Sequence, residues 1–215
     1  MNGDIDEAAA LRHLKRVHAE LYESALPFKG QVLAGLSTPA RTNTALFRAL
    51  CSSIVSQQLS TKAAASIFAR LEQQLGSITS ARILDASPGE MRTVGLSAAK
   101  IASLKALAEA VHSKKLNLLG LKNKSSEIAM QALTEVRGIG PWTAEMFLIF
   151  ALGAPDIFSP GDLILARRTQ ALFNLPQNAS KKAITEAAAR WAPHRSYVSL
   201  LLWKLHHAEL LTERL

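Results

Sequence analysis

Residues 136–145 read Val-Arg-Gly-Ile-Gly-Pro-Trp-Thr-Ala-Glu, and the apolar residues on either side recur at helical spacing. No other stretch restricts the fold as strongly, because a Gly-x-Gly-Pro string between two helix patterns reads as a short turn joining them. Glycine permits backbone conformations and close approaches that a Cβ obstructs. Pro141 opens the second helix at a position where no intrahelical donor is needed.

The remainder of the chain also reads as helix. Residues 5–23 carry a stripe of Leu11, Leu14, Val17, Leu21 and Tyr22. Pro27, Gly30 and Gly35 break it, with Leu33 and Leu36 packing across the turn. A helix follows over 43–57, with Leu46, Leu50, Ile54 and Val55 inward and Asn43 as its cap. Another starts at Ser60 and runs to Leu75, where Gly76 ends it. A short helix over 80–85 and a tight turn at Pro88-Gly89 lead to a helix that starts at Ser97. Further helices are expected near 124–135, 142–152, 163–173, 180–190 and 194–213, and the 142–152 segment is apolar enough to be buried. No alternating strands, internal repeat or low-complexity tract is present. The expected fold is all-α, a two-lobed helical bundle. A terminal lobe (1–58 plus 156–215) packs around a middle lobe (59–155) that carries the turn at 136–141. The cleft between such lobes is the default place for a ligand.

Composition narrows the function. A chain of 215 residues can bury a real core as one compact unit or two joined lobes. No apolar run approaches the roughly 20 residues needed to span a bilayer. The early Asp4, Asp6 and Glu7 do not fit a signal peptide. The expectation is an intracellular protein with no membrane partner, in the cytoplasm or nucleoid of a prokaryote or the nucleus of a eukaryote. One cysteine, Cys51, rules out an internal disulfide and a four-cysteine metal or iron–sulfur site, and the six histidines lack zinc spacing. Net charge is +8. Residues 92–124 hold Arg92, Lys100, Lys105, Lys114, Lys115, Lys122 and Lys124 against Glu109. Residues 163–195 hold Arg167, Arg168, Lys181, Lys182, Arg190 and Arg195 against Glu186. Two basic regions flanking the turn suit a polyanion better than a merely solvated surface.

Two places carry chemistry. N–H groups near Gly140 and Trp142, with the positive end of the following helix, face an anion. A purely structural turn is the competing reading, and Ile139 anchors the turn in the core in either case. Asp162 follows Pro160-Gly161 and precedes Leu163-Ile164-Leu165, which places it at a helix N-cap. It reads either as a structural cap or as a carboxylate that stabilises positive charge on a deoxyribose as its base departs and orients the attacking water. Its spacing from the turn favours the second. Asp156 and Glu145 are weaker candidates. Trp142 reads as a pocket wall, Trp203 as core or wall, and Tyr22, Phe28, Trp191 and Tyr197 as further walls. A positively charged alkylated purine gains attraction from such ring faces.

A helix, a Gly-hydrophobic-Gly turn and a helix make a helix–hairpin–helix element. It is accompanied by Phe47-x-x-Leu50-x-x-x-Ile54-x-x-Gln57-Gln58-Leu59-Ser60, Lys62-Ala63-Ala64, Gly95-Leu96-Ser97-x-x-Lys100, Phe158 to Asp162, and Arg195-Ser196-Tyr197. On these residues, from about Phe47 to Trp203, the chain resembles the helix–hairpin–helix DNA glycosylase superfamily, and within it the alkylbase branch of DNA-3-methyladenine glycosylase II. The resemblance implies that Asp162 is the catalytic carboxylate. It puts the hairpin (Arg137, Gly138, Gly140, Thr143) on the phosphate backbone of double-stranded DNA containing damaged bases. Gln57, Gln58, Leu59 and Ser60 then fill the gap left by an extruded nucleotide, with Gln58 or Leu59 as wedge. Lys100 and Arg167 are expected on DNA, and Trp142, Trp203, Tyr197 and Phe28 around the base. The carbonyls of Thr134, Val136 and Ile139 would share a Na+ or K+ with the phosphate; no other cofactor is expected. Bifunctional relatives carry a Schiff-base lysine where Trp142 stands, so the resemblance implies hydrolytic base removal alone. The chain is expected to lack the additional N-terminal sheet-containing domain of larger members. It is expected to act as a monomer on alkylated purines, the alternatives being deaminated or oxidised bases, or a non-catalytic DNA-binding module.

Overall fold

The computed structural model describes residues 4–34, 36 and 42–212, so Gly35 lies outside the described residues. Among these, every regular element is helical: twelve α-helices and three short 3-10 turns, without a strand. No helix among them is long and apolar enough to cross a membrane. The chain divides into two compact units, one of Pro39–Phe147 and one of Asn2–Thr38 with Leu148–Leu215.

The first unit holds α3 (Asn43–Ser56), α4 (Thr61–Leu75), α5 (Ser80–Asp85), α6 (Pro88–Thr93), α7 (Ala98–His112), α8 (Ser126–Thr134) and most of α9 (Pro141–Phe150). Helix α7 is its centre and packs on α3, α5 and α6. Leu50, Ile54, Leu71, Leu104, Leu107 and Leu133 are buried in the core. Starts are set by hydroxyl caps: Ser60, Thr79, Ser87, Ser97 and Ser125 each accept the backbone N–H three residues on. Two expectations change here. Pro88-Gly89 is no tight turn; Pro88 is the first residue of α6, and Ser87 and Glu90 form a capping box around it. Helix α3 is capped by Thr42, while Asn43 Oδ1 accepts the N–H of Leu119 at 2.8 Å.

The division also falls elsewhere than at 58 and 155. Helix α3 packs on α4 and α7 and is counted with them. Lys100 Nζ reinforces this by donating to the carbonyl of Val55, near the end of α3, at 2.5 Å. Cys51 is buried in α3, and burial pushes its thiol far above the usual range.

The second unit holds α1 (Glu7–Val17), α2 (Ala19–Ala25), α10 (Leu163–Leu172), α11 (Lys181–Ala188) and α12 (Arg195–Thr212). Val198, Leu201 and Leu202 of α12 are buried, and the helix packs on α1 and α10. The stripe over 5–23 is two helices rather than one. His18 leaves helical geometry at φ −155°, its ring stacks on Trp191 with centroids 6.0 Å apart, and its Nδ1 accepts the indole N–H at 3.1 Å. Nor is α9 wholly buried: Phe147, Leu148 and Ile149 are, but Trp142 and Phe150 are 47% and 43% exposed. Its apolar character serves two surface rings as well as a core face.

Candidate active site

In the first unit α8 and α9 meet at the turn around Gly138. That glycine has φ +89°, and a Cβ there would lie 2.0 Å from Ser103 Oγ and 2.4 Å from Ser103 Cβ. The protein's own interior therefore demands glycine. At Gly140 a Cβ would meet nothing within 4 Å, so that side of the backbone is bare. Ile139 is buried, as expected, and its N–H donates to the Val136 carbonyl at 3.0 Å. Thr143 is buried too, whereas Arg137 is exposed.

The loop after α3 is tied to this turn. Gln57 Nε2 donates to the Gly138 carbonyl at 3.0 Å and to Thr143 Oγ1 at 3.2 Å. Ser60 Oγ accepts Ala63 N–H at 3.3 Å as the cap of α4. Both side chains are engaged in holding the loop. Gln58, at φ +58°, is exposed, and Leu59 is 39% exposed, so these two face outward. The Lys100 ammonium is held on Val55, and burial keeps it below the usual lysine range. Its expected place on phosphate is corrected to a cap on α3.

In the second unit Asp162 is the N-cap of α10. Its Oδ1 accepts Ile164 N–H and Leu165 N–H, both at 3.1 Å, and the indole N–H of Trp203 at 3.2 Å. The orientation of this carboxylate is thus set by backbone and side chain together. Trp203 is half-buried and stacks on Phe150 with centroids 5.7 Å apart and planes 23° off parallel. Phe150 was not expected here, since an aromatic at the end of an apolar helix reads as core. Phe28 is half-buried, with Lys204 Nζ 6.0 Å from its ring centroid. Tyr197 is corrected: it is fully buried, its hydroxyl donates to Glu7 at 3.2 Å, and it belongs to the core. Trp191 is buried as well. Arg167 is exposed on α10.

The competing carboxylate has another task. Asp156 takes Arg195 in a two-point ion pair, at 2.7 Å to Nε and 2.9 Å to Nη2. No group of three metal-ligating side chains exists among the described residues. What remains is an oriented carboxylate beside an indole, which can stabilise a cation forming against it, and a glycine turn with a bare backbone.

An all-helical chain with a Gly-x-Gly hairpin and a capping aspartate past its second helix is a helix–hairpin–helix protein. It belongs to the HhH-GPD superfamily of base excision DNA repair proteins, which it matches over residues 51–194. Its relatives lie in the alkylbase branch. The DNA-3-methyladenine glycosylase 1 of Schizosaccharomyces pombe is 33% identical over 198 residues, 86% of each chain. DNA-3-methyladenine glycosylase 2 of Escherichia coli is 27% identical, over 86% of this chain and 65% of that one. Among solved structures, a DNA-3-methyladenine glycosidase from Bacillus halodurans superposes with a TM-score of 0.75 at 33% identity, covering 89% of this chain and 88% of that one. The S. pombe 3-methyladenine DNA glycosylase in complex with abasic DNA gives 0.71 at 32% identity, covering 91% and 95%.

Proposed function

We propose that this protein is a monofunctional DNA glycosylase that hydrolyses the N-glycosidic bond of alkylated purines, such as 3-methyladenine or 7-methylguanine, in duplex DNA and leaves an abasic site. The observation that carries the proposal is Asp162, held on α10 by two backbone donors and the Trp203 indole, in a chain whose relatives are named for 3-methyladenine.

The hairpin amides around Gly140 and Trp142 take a phosphate. Gln58 and Leu59 support the stack as the nucleotide is extruded. Trp203 offers a ring face to a base that carries positive charge. The C1′–N bond breaks with its electron pair passing to the base, which leaves neutral, so no strong general acid is required. Asp162 stabilises the sugar cation. It also orients the water whose oxygen bonds to C1′, and it takes the released proton. With Trp142 in place of a lysine, no Schiff base forms and the strand is not nicked. The enzyme acts as a monomer on DNA inside the cell.

The carbonyls of Thr134, Val136 and Ile139 are hard oxygen donors on one turn, and they would hold a Na+ or K+. The Val136 carbonyl accepts Ile139 N–H, and a carbonyl oxygen keeps a second lone pair for an ion. Such an ion supplies positive charge for the phosphate.

Asp162→Asn, assayed for base release from methylated duplex DNA under single-turnover conditions, is expected to lose about 10²–10³-fold in rate while still binding abasic DNA. Undiminished release removes the carboxylate from this role. A panel of duplexes bearing alkylated, deaminated and oxidised bases separates the lesion classes, and binding without abasic product marks a non-catalytic module.

A further inference from the structure

We infer that the groove between α10 and α11 is a second site for the DNA backbone, gripping a phosphodiester of the strand beside the nucleotide that Asp162 serves. The groove encloses about 950 Å³, and its lining includes Pro160, Leu163, Arg167, Leu175, Lys181 and Ile184, with no Asp or Glu among the lining residues.

The distribution of ion pairs points to an anion. Each of the two helices carries adjacent cations, Arg167-Arg168 on α10 and Lys181-Lys182 on α11. Arg168 is paired with Glu209, and Lys182 lies 4.0 Å from Glu186. Arg167 and Lys181, the members that line the groove, are exposed and in no ion pair among the described residues. Within these two helices the cations in ion pairs lie off the groove, and the two without one line it.

Position selects DNA as that partner. Pro160 and Leu163 bracket Asp162 in sequence, and Lys181 Nζ lies 3.4 Å from where a Cβ would stand on Gly161, the residue before it. Arg167 is five residues along α10, about 7.5 Å of helix rise. One strand carries a phosphate for about every 3.4 Å of duplex axis. Arg167 therefore lies within about two phosphate spacings of a sugar seated at Asp162, in reach of a neighbouring phosphodiester. Leu163, 62% exposed at the rim, offers an apolar surface to a sugar. An acidic peptide with an aliphatic anchor shares this chemistry, but nothing brings it to Asp162, where the glycosylase reading already requires DNA. The inference rests on that reading.

The test is the salt dependence of binding to undamaged and abasic duplexes, measured for Arg167→Gln, Lys181→Gln and the pair, against Arg168→Gln and Lys182→Gln. Each groove variant is expected to reduce the magnitude of the slope of log Kobs against log [salt] by about 0.9, and the pair by about twice that. Arg167→Lys and Lys181→Arg should keep the slope, and the two ion-paired controls should change it little. An unchanged slope in the double variant, or an equal change in the controls, overturns the site and leaves the groove to a peptide. Failure of the glycosylase reading shows separately, as an absence of abasic product from the unmodified protein whatever the slopes.

Discussion

The indole N–H of Trp203 donates to Oδ1 of Asp162 across 3.2 Å, from a ring on which Phe150 stacks. In the proposed mechanism one residue presents a face to the base and fixes the carboxylate that acts on its sugar. Trp203→Phe keeps an aromatic face but removes the donor. A hydrogen bond to a charged group is worth about 1.5–3 kcal/mol. Single-turnover base release is therefore expected to fall by about tenfold or more, with affinity for abasic DNA close to unchanged. An equal loss in both would assign Trp203 to packing alone.

The two hairpin glycines should respond in opposite ways. Gly138→Ala forces a Cβ onto Ser103 at a positive φ and is expected to destabilise the fold by about 3 kcal/mol. Ser103→Gly in the same chain should recover part of that, which a double-mutant cycle in urea measures. Gly140→Ala has open space, so its stability should stay within about 0.5 kcal/mol. Its DNA affinity should drop about tenfold, the loss of one charge-assisted contact.

Neighbouring glutamines divide in the same manner. Gln57→Ala removes the donor that ties the loop to Gly138 and Thr143 and should cost about 1–2 kcal/mol of stability. Gln58→Gly relieves a left-handed backbone and should stabilise by up to about 1 kcal/mol while weakening DNA binding. Urea unfolding beside a DNA titration reads both.

Acid should weaken the second unit through His18. Its Nδ1 accepts the Trp191 N–H, and burial first, then the Arg190 cation, lowers its pKa. The unfolded chain therefore binds more protons than the folded one between the depressed value and the ordinary value of about 6.5. The contribution is complete above that ordinary value and is lost as pH falls through the folded one. Urea midpoints should decline from pH 7 to pH 5, and His18→Asn should flatten that decline, leaving the part due to His194, lowered by its own burial and by His13.

Much of this was legible in the chain. Periodicity and cap residues place α4, α5, α7 and α10 within a residue or so, because Ser60, Ser97 and Asp162 are local signals that act where they stand. Three features depend on partners remote in sequence and leave no local trace. The break at His18 answers to Trp191, the cap on α3 is supplied by Lys100, and the stacking ring on Trp203 comes from Phe150. Tyr197 reads as a pocket wall in the sequence and is core in the structure for the same reason, since its partner Glu7 lies 190 residues away. Pro88-Gly89 misled differently: the dipeptide fits a turn, and only the reciprocal Ser87–Glu90 bonds make it a helix start.

The sealed thiol of Cys51 bears on the chemical setting in which such a protein works. Methylating agents attack thiolates readily, and only the deprotonated, accessible sulfur reacts. Cys51 is shut away inside α3, and burial disfavours its thiolate, so the sole cysteine is a poor target. That sulfur is thereby spared by the same electrophiles that generate the lesions the protein is proposed to remove.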